Sequence, residues 1–142
     1  MPPTGAQVKE TTFRVRYAET DLMGIVHHAS YVIYLEEARV DFTRQIGAPY
    51  LDLEAEGYSL AVSELHIRYK APARFDQQII VRTWLEEVQS RAVTFSYEVV
   101  EPQTQTLLAT AQARLICVDR SGSVRRIPET WLNIMKPLEV TS

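Results

Sequence analysis

The sequence predicts an α+β fold, with one antiparallel sheet packed against one long helix. Three observations predict it. Thr11–Tyr17 alternates like a half-buried strand, apolar residues then recur at helical spacing over Tyr31–Ile46, and from Ser59 onward the pattern returns to alternation for about four more strands. A chain of 142 residues fits one domain. Residues 1–10 read as a loose polar stretch with two prolines, 11–136 as the domain and 137–142 as a polar tail.

The first strand sets Phe13, Val15 and Tyr17 against Thr12, Arg14 and Arg16. The helix places Tyr31, Tyr34, Leu35, Ala38, Phe42 and Ile46 on one stripe. Glu36, Glu37, Arg39, Asp41 and Arg44 mostly fill the remaining positions, so the helix buries one face and solvates the other. It is expected to stop at Gly47, where glycine tolerates the left-handed terminus and Pro49 forbids continuation. Tyr50–Ala55 reads as a short helical turn ended by Gly57.

In Ser59–Tyr69 the apolar parity shifts between Val62 and Leu65, which predicts a bulge. Ile79–Glu87 is apolar on both parities and is expected to be covered on both faces. Arg91–Val100 puts Val93, Phe95, Tyr97 and Val99 on one face. Thr106–Val118 carries Ala109, Ala111, Ala113, Leu115 and Cys117 on one face, and the small residues predict a bulky neighbour, with the long helix as the candidate. Asp119–Gly122 is a turn, Val124–Ile127 a short strand or edge, and Pro128–Met135 a last helical turn.

Composition limits the function. The chain is 46% apolar and 23% charged, with a net charge of −3 from interspersed signs, which gives no electrostatic case for nucleic-acid binding. The single cysteine, Cys117, excludes a disulfide within the chain and fits a reduced, cytoplasmic setting. No stretch approaches the roughly 18–20 apolar residues of a membrane span, and MPPTGAQVKE lacks the apolar run of a signal peptide. With one helix against a sheet and an unpaired edge left over, an oligomer is expected.

The chemistry concentrates just before the long helix. Asp21, Gly24, His27 and His28 precede a helix start, where backbone N–H groups lack intrahelical partners and favour an oxyanion. A carboxylate, an imidazole and such donors suffice for acyl transfer to water without a serine or cysteine nucleophile. Asp21 also suits a plain turn cap, and His28 a structural hydrogen bond. A metal reading of His27 and His28 has only Asp21 and His66 as further ligand candidates, which makes it a weak case. Tyr31 serves either the core or the lining of a pocket near the helix start. Arg68, Lys70 and Arg74 form a basic cluster around Pro72 that suits phosphate oxygens or ordinary surface charge, and Arg125 and Arg126 form a second.

Residues 17–31 read YAETDLMGIVHHASY, followed by EEAR at 36–39, RYKAPARFD at 68–76 and RIP at 126–128. This pattern resembles the hotdog-fold acyl-CoA thioesterases of the 4-hydroxybenzoyl-CoA thioesterase/YbgC type, over roughly residues 11–130. His27 stands where that family more often has tyrosine or phenylalanine, Ser30 where it has asparagine, and Gln77 where an acidic residue is common. The resemblance implies a long central helix wrapped by a curved antiparallel sheet of about five strands. It further implies sheets paired edge to edge in dimers, often tetramers, with active sites at the dimer interface. The family's catalytic aspartate falls on Asp21, and the thioester carbonyl is polarised by the backbone N–H of His28, with Gly24 shaping the approach. His27, Tyr31, Arg68, Lys70 and Arg74 are the expected substrate contacts. Coenzyme A enters as part of the substrate, and no metal or redox cofactor is expected. An acyl-carrier-protein thioesterase and a non-catalytic acyl-binding module are the alternatives.

Overall fold

The computed structural model describes residues 2, 3 and 5–140, so residues 1, 4, 141 and 142 of the two polar end segments lie outside the described residues. Five strands form one antiparallel sheet: β1 (Lys9–Arg14), β2 (Tyr58–Tyr69), β3 (Gln78–Val88), β4 (Ala92–Glu101) and β5 (Thr106–Asp119). Their order across the sheet is β1-β3-β4-β5-β2. The 16-residue helix α1 (Ser30–Gln45) carries the chain from one edge strand to the other, followed by the short α2 (Tyr50–Ala55). A last helix, α3 (Glu129–Met135), and a 3-10 turn over Lys136–Leu138 follow β5.

The helical stripe is the one the spacing predicts. Tyr31, Tyr34, Leu35, Ala38 and Phe42 are buried, and Ile46 packs at the edge of the same core. The helix ends in a Schellman arrangement: Ala48 N–H donates to Thr43 O (2.9 Å) and Gly47 N–H to Arg44 O (3.1 Å), with Gly47 at φ +80°.

The alanine stripe of β5 has bulky neighbours within the sheet itself. Ala111 pairs with Tyr97 on one side and Ile67 on the other, and Ala113 with Phe95 and Leu65. Cross-strand partners share a face, so the small residues leave room between large ones. Phe42 of α1 meets Phe95 edge-on, with centroids 5.7 Å apart at 87°. The predicted bulge in β2 falls between Val62 and Glu64. A second, not anticipated, falls between Leu85 and Glu87 in β3.

Two boundaries differ from expectation. The first strand leaves the sheet before Tyr17, which is 78% exposed, because Arg16–Glu19 closes into a 3-10 turn. The Val124–Ile127 segment makes only an isolated bridge, Val118 to Val124. Ile127 N–H then donates to Ser90 O (2.8 Å), which draws the chain away from β5 toward the β3–β4 turn.

Asp41 ties α1 to β1. It accepts hydrogen bonds from Thr11 Oγ1 (2.7 Å) and Gln45 Nε2 (2.7 Å), and Arg44 Nη1 lies 3.2 Å away. The Thr11 bond, against the opposing effect of burial, leads in holding this carboxyl below its usual range, with Gln45 and Arg44 adding to it. A carboxyl lowered by folding contributes stability above its unfolded pKa of about 3.9, and that stability is lost as pH falls through the lower, folded value. Asp41→Asn is therefore expected to cost about 1 kcal/mol at pH 7. Urea titrations carried down toward pH 3 should show the two proteins converging; a difference that stays constant with pH would refute this linkage.

The C-terminal segment is bound to β3. Lys136 Nζ donates to Val88 O (3.0 Å), the Glu139 carboxylate accepts from Val88 N–H, and Val140 N–H donates to Leu85 O (3.0 Å). Among the described residues, no helix is long and apolar enough to cross a membrane.

Candidate active site

Asp21 sits at the tip of a narrow double-backed segment joining the 3-10 turn to α1. Thr20 and Val26 form an antiparallel bridge, and His27 N–H donates to Glu19 O (2.8 Å). At the tip, Asp21 N–H donates to Ile25 O (2.9 Å) and Gly24 N–H to Asp21 O (3.0 Å). The Asp21 carboxylate accepts through Oδ1 from Met23 N–H (2.8 Å) and Ile25 N–H (3.3 Å). The segment is fastened to the chain after β2: Val26 N–H donates to Ala73 O (2.8 Å) and Phe75 N–H to Gly24 O (3.1 Å).

The same turn occurs a second time. Asp119–Gly122 repeats the four bonds at the tip: Asp119 N–H to Ser123 O (2.9 Å), Gly122 N–H to Asp119 O (3.0 Å), and Ser121 and Ser123 N–H to Asp119 Oδ1 (2.9 and 3.1 Å). The turn-capping role of aspartate is thus realised at both positions. The second carboxylate oxygen distinguishes them. Asp119 Oδ2 is taken by Arg125 Nε at 2.7 Å, whereas Asp21 Oδ2 has no hydrogen-bond partner among the described residues. Turn geometry alone leaves that oxygen of Asp21 unexplained.

The start of α1 is more fully paired than expected. Ser30 N–H donates to His27 O (2.9 Å), Tyr31 N–H to His28 O (3.4 Å) and Val32 N–H to Ala29 O (3.2 Å), while Ala29 N–H meets His27 Nδ1 (3.2 Å). The backbone N–H of His28 has no acceptor among the described residues. It is the orphan donor of this helix start. The His27 and His28 rings stack with centroids 4.4 Å apart, and both residues are exposed.

A cleft of about 400 Å³ opens here, lined by Asp21, His28 and Tyr31 with Ile25, Val26, Tyr69, Lys70, Ala71 and Pro72. It gathers Asp21, His28, Tyr31 and Lys70 from the expected set and leaves others outside its lining. Gly24 lies in the turn below, and His27 stacks behind His28. Arg68 follows the parity opposite to Tyr69 along β2, so it projects from the other face. Arg74 is exposed and reaches the region only through the backbone bridge of Ile25 to Arg74. Arg125 is engaged with Asp119. Tyr31 is buried, with its ring edge-on to both Tyr34 and Tyr69. A larger groove of about 600 Å³ between β1 and α1 is lined by Glu10, Glu36, Glu37 and Asp41 against one cation, Arg44, which gives it a net negative charge ill-suited to phosphates. Among the described residues, no group of three or more His, Cys, Asp or Glu side chains is placed to hold a metal ion. Cys117 is buried, and burial foremost pushes its thiol up, away from reactivity.

Residues 15–135 match the model of the thioesterase-like superfamily. The chain belongs to that superfamily. It is 34% identical over 106 residues to the acyl-CoA thioester hydrolase YbgC of Escherichia coli O6:H1, spanning 75% of this chain and 78% of that one. Among solved structures, the hypothetical protein TT1821 of Thermus thermophilus is 42% identical, with a TM-score of 0.88 over 95% of this chain and all (100%) of that one. The DHNA-CoA thioesterase of Staphylococcus aureus is 27% identical, also at a TM-score of 0.88, over 92% of this chain and 90% of that one. The fold is therefore that of the hotdog thioesterases.

In this thioesterase-like chain two residues of the site escaped the sequence. Tyr69 donates its hydroxyl to His28 O (2.9 Å), although the sequence shows it only as the last residue of the second strand. Glu19 is a buried carboxylate ion-paired with Arg16, and the sequence shows it only as a member of the YAETD run, with no role attached. Gly24 supports an immediate test. It holds φ +74°, and a Cβ there would meet nothing within 4 Å, so Gly24→Ala costs only backbone strain, about 1 kcal/mol. Gly122, at φ +85° with equally open surroundings in the duplicate turn, is the control. Both alanine variants should lose similar melting temperature, and only Gly24→Ala should lose thioester hydrolysis. Equal rates in the two would detach the Asp21 turn from function.

Proposed function

We propose that this chain is an acyl-CoA thioesterase, hydrolysing a thioester to a free carboxylic acid and coenzyme A. The observation that carries the reading is the pairing, in one cleft, of a carboxylate with an unsatisfied oxygen and a backbone N–H with no acceptor of its own. Asp21 Oδ2 takes a proton from water, the resulting hydroxide attacks the thioester carbon, and the oxygen turning negative is met by His28 N–H. Collapse of the tetrahedral species breaks the C–S bond, and the proton passes to the departing thiolate. Attack by Asp21 itself, through an anhydride that water then opens, uses the same two groups. Oδ1 stays bound to Met23 and Ile25 N–H throughout and orients the reactive oxygen.

Tyr31, Ile25 and Val26 supply apolar surface for the acyl group, and His27 backs the His28 ring. Lys70, in the cleft, and the exposed Arg74 meet the phosphates of coenzyme A, which enters as part of the substrate, and Arg68, on the opposite face of β2, is left out of this contact; no separate cofactor is invoked. Active sites complete themselves in a homodimer joined along β2 and further in a tetramer, with the sheet wrapped around α1 as the central helix. The support is an edge strand with no outer partner among the described residues, bearing exposed Val62 and Tyr69. A cytoplasmic location fits the single, buried thiol.

The test is thiol release from a panel of acyl-CoA thioesters: short, medium and long aliphatic, benzoyl, hydroxybenzoyl and phenylacetyl. Turnover that weakens with charge reversal at Lys70 and Arg74, and not at Arg68 on the opposite face, supports coenzyme A recognition. A well-folded oligomer inactive on every member, yet active on an acyl-carrier protein, would overturn the substrate assignment.

A further inference from the structure

The buried carboxylate of Glu19 is used by neither step of the reaction. It is 9% exposed, and both of its oxygens are occupied. Oε1 accepts from Arg16 N–H (2.8 Å) and the Tyr34 hydroxyl (2.7 Å), and Oε2 from Arg16 Nε (2.9 Å) and Nη2 (2.8 Å). Burying an ion costs several kcal/mol unless it is fully bonded, and here the bonding is complete. The backbone of the same residue is equally engaged: Glu19 N–H donates to Arg16 O (3.0 Å), and Glu19 O accepts from His27 N–H (2.8 Å) and from Ser30 Oγ (3.3 Å). One residue therefore joins the end of the first strand segment, the second turn of α1 and both limbs of the segment that carries Asp21.

We propose that Glu19 is the positioning residue of the hydrolytic site, holding the Asp21 turn and the His28 amide in a single rigid frame. This rests on the thioesterase reading above. The frame acts on both catalytic groups by short covalent paths. Asp21 is two residues from Glu19, at the tip of the limb whose base the carboxylate fixes. The N–H of His28 belongs to the peptide bond following His27. That peptide is held directly by Ser30 N–H on His27 O, and the peptide before it by His27 N–H on Glu19 O. Glu19 O thus fixes the peptide next to the one carrying the orphan N–H. It also accepts from the Oγ of Ser30, the residue whose backbone N–H holds His27 O, so the direction of the orphan N–H is tied to Glu19 through both neighbours. Tyr34, buried beneath, connects the frame to the core through Phe13 and Tyr31, its ring partners. A misplacement of about 1 Å in such a frame can cost a factor of about 10² in rate.

The experiment compares Glu19→Gln and Tyr34→Phe with Asp41→Asn, which loosens α1 at a distance. Assays run well below each melting temperature, per mole of folded oligomer. Glu19→Gln keeps the volume and one acceptor but loses the charge facing Arg16. It is expected to lower kcat by between tenfold and a hundredfold with KM within twofold, and to speed amide hydrogen exchange at His27. Tyr34→Phe should show the same signature more weakly, and Asp41→Asn should keep wild-type kcat. In an Asp21→Ala background, Glu19→Gln should add little, because the two act as one unit. The proposal is overturned if Glu19→Gln lowers only the melting temperature, or if its rate loss persists in full on top of Asp21→Ala. Unchanged exchange at His27 would overturn it even for a protein that hydrolyses no tested thioester. A wild-type rate in Asp21→Ala would instead sink the thioesterase mechanism itself, so the two failures are distinguishable.

Discussion

Asp21→Asn is expected to reduce kcat/KM for acyl-CoA hydrolysis by about a thousandfold, within the range a single general base supplies, equivalent to about 4 kcal/mol of transition-state stabilisation. Asparagine is the informative substitution because its amide oxygen can still accept from Met23 and Ile25 N–H, so the turn survives while proton abstraction and nucleophilic attack are lost. Alanine removes both and should add a modest loss of stability. The duplicate turn provides the opposite control: Asp119→Asn keeps the equivalent turn bonds and breaks the Arg125 pair, so it should perturb stability slightly and leave the rate alone. Initial-rate assays on the most active thioester, with circular dichroism for folding, decide the matter. If Asp21→Asn hydrolyses at the wild-type rate, Asp21 is a turn cap as Asp119 is, and the open oxygen Oδ2 has another purpose.

These twin turns also show how far residue patterns reach. Asp-x-x-Gly at 21–24 and at 119–122 reads identically as a turn signal, and both form the turn. Local chemistry specifies that geometry, because each bond lies within five residues. What separates the two is whether an arginine arrives at the second oxygen, which for Asp119 depends on Arg125 folding back across the turn. Periodicity likewise located the buried stripe of α1, its glycine terminus and the β2 bulge, all properties of neighbours in sequence. The departures arise from contacts distant in the chain: Ile127 captured by Ser90, Tyr69 reaching His28, and Glu19 buried by Tyr34. The helix start illustrates both sides. Its positive end was predictable, yet only pairing in three dimensions singles out the His28 amide as the donor left over.

The largest effect on stability is expected at Phe42. It is fully buried (0% exposed) in the second half of α1 and meets Phe95 edge-on. Phe42→Ala should cost about 4 kcal/mol, combining lost transfer energy with a cavity that the surroundings cannot close. Closure is resisted because Phe95 belongs to β4, which is bonded to β3 on one side and β5 on the other. Moving it inward would break two ladders at once. Against a typical domain stability of about 5–15 kcal/mol this is a severe loss, and it should appear as a lower urea midpoint at unchanged slope, measured at fixed protein concentration. A cost below about 1.5 kcal/mol would mean that the core collapses around the gap. Phe42 lies about 18 Å along the helix from Ser30. Surviving folded protein should therefore keep its kcat at low temperature, whereas Asp21→Asn loses its rate with little change in stability. The two ends of α1 would then divide the labour, the C-terminal half anchoring the helix in the core and the N-terminal end presenting the amide that meets the substrate.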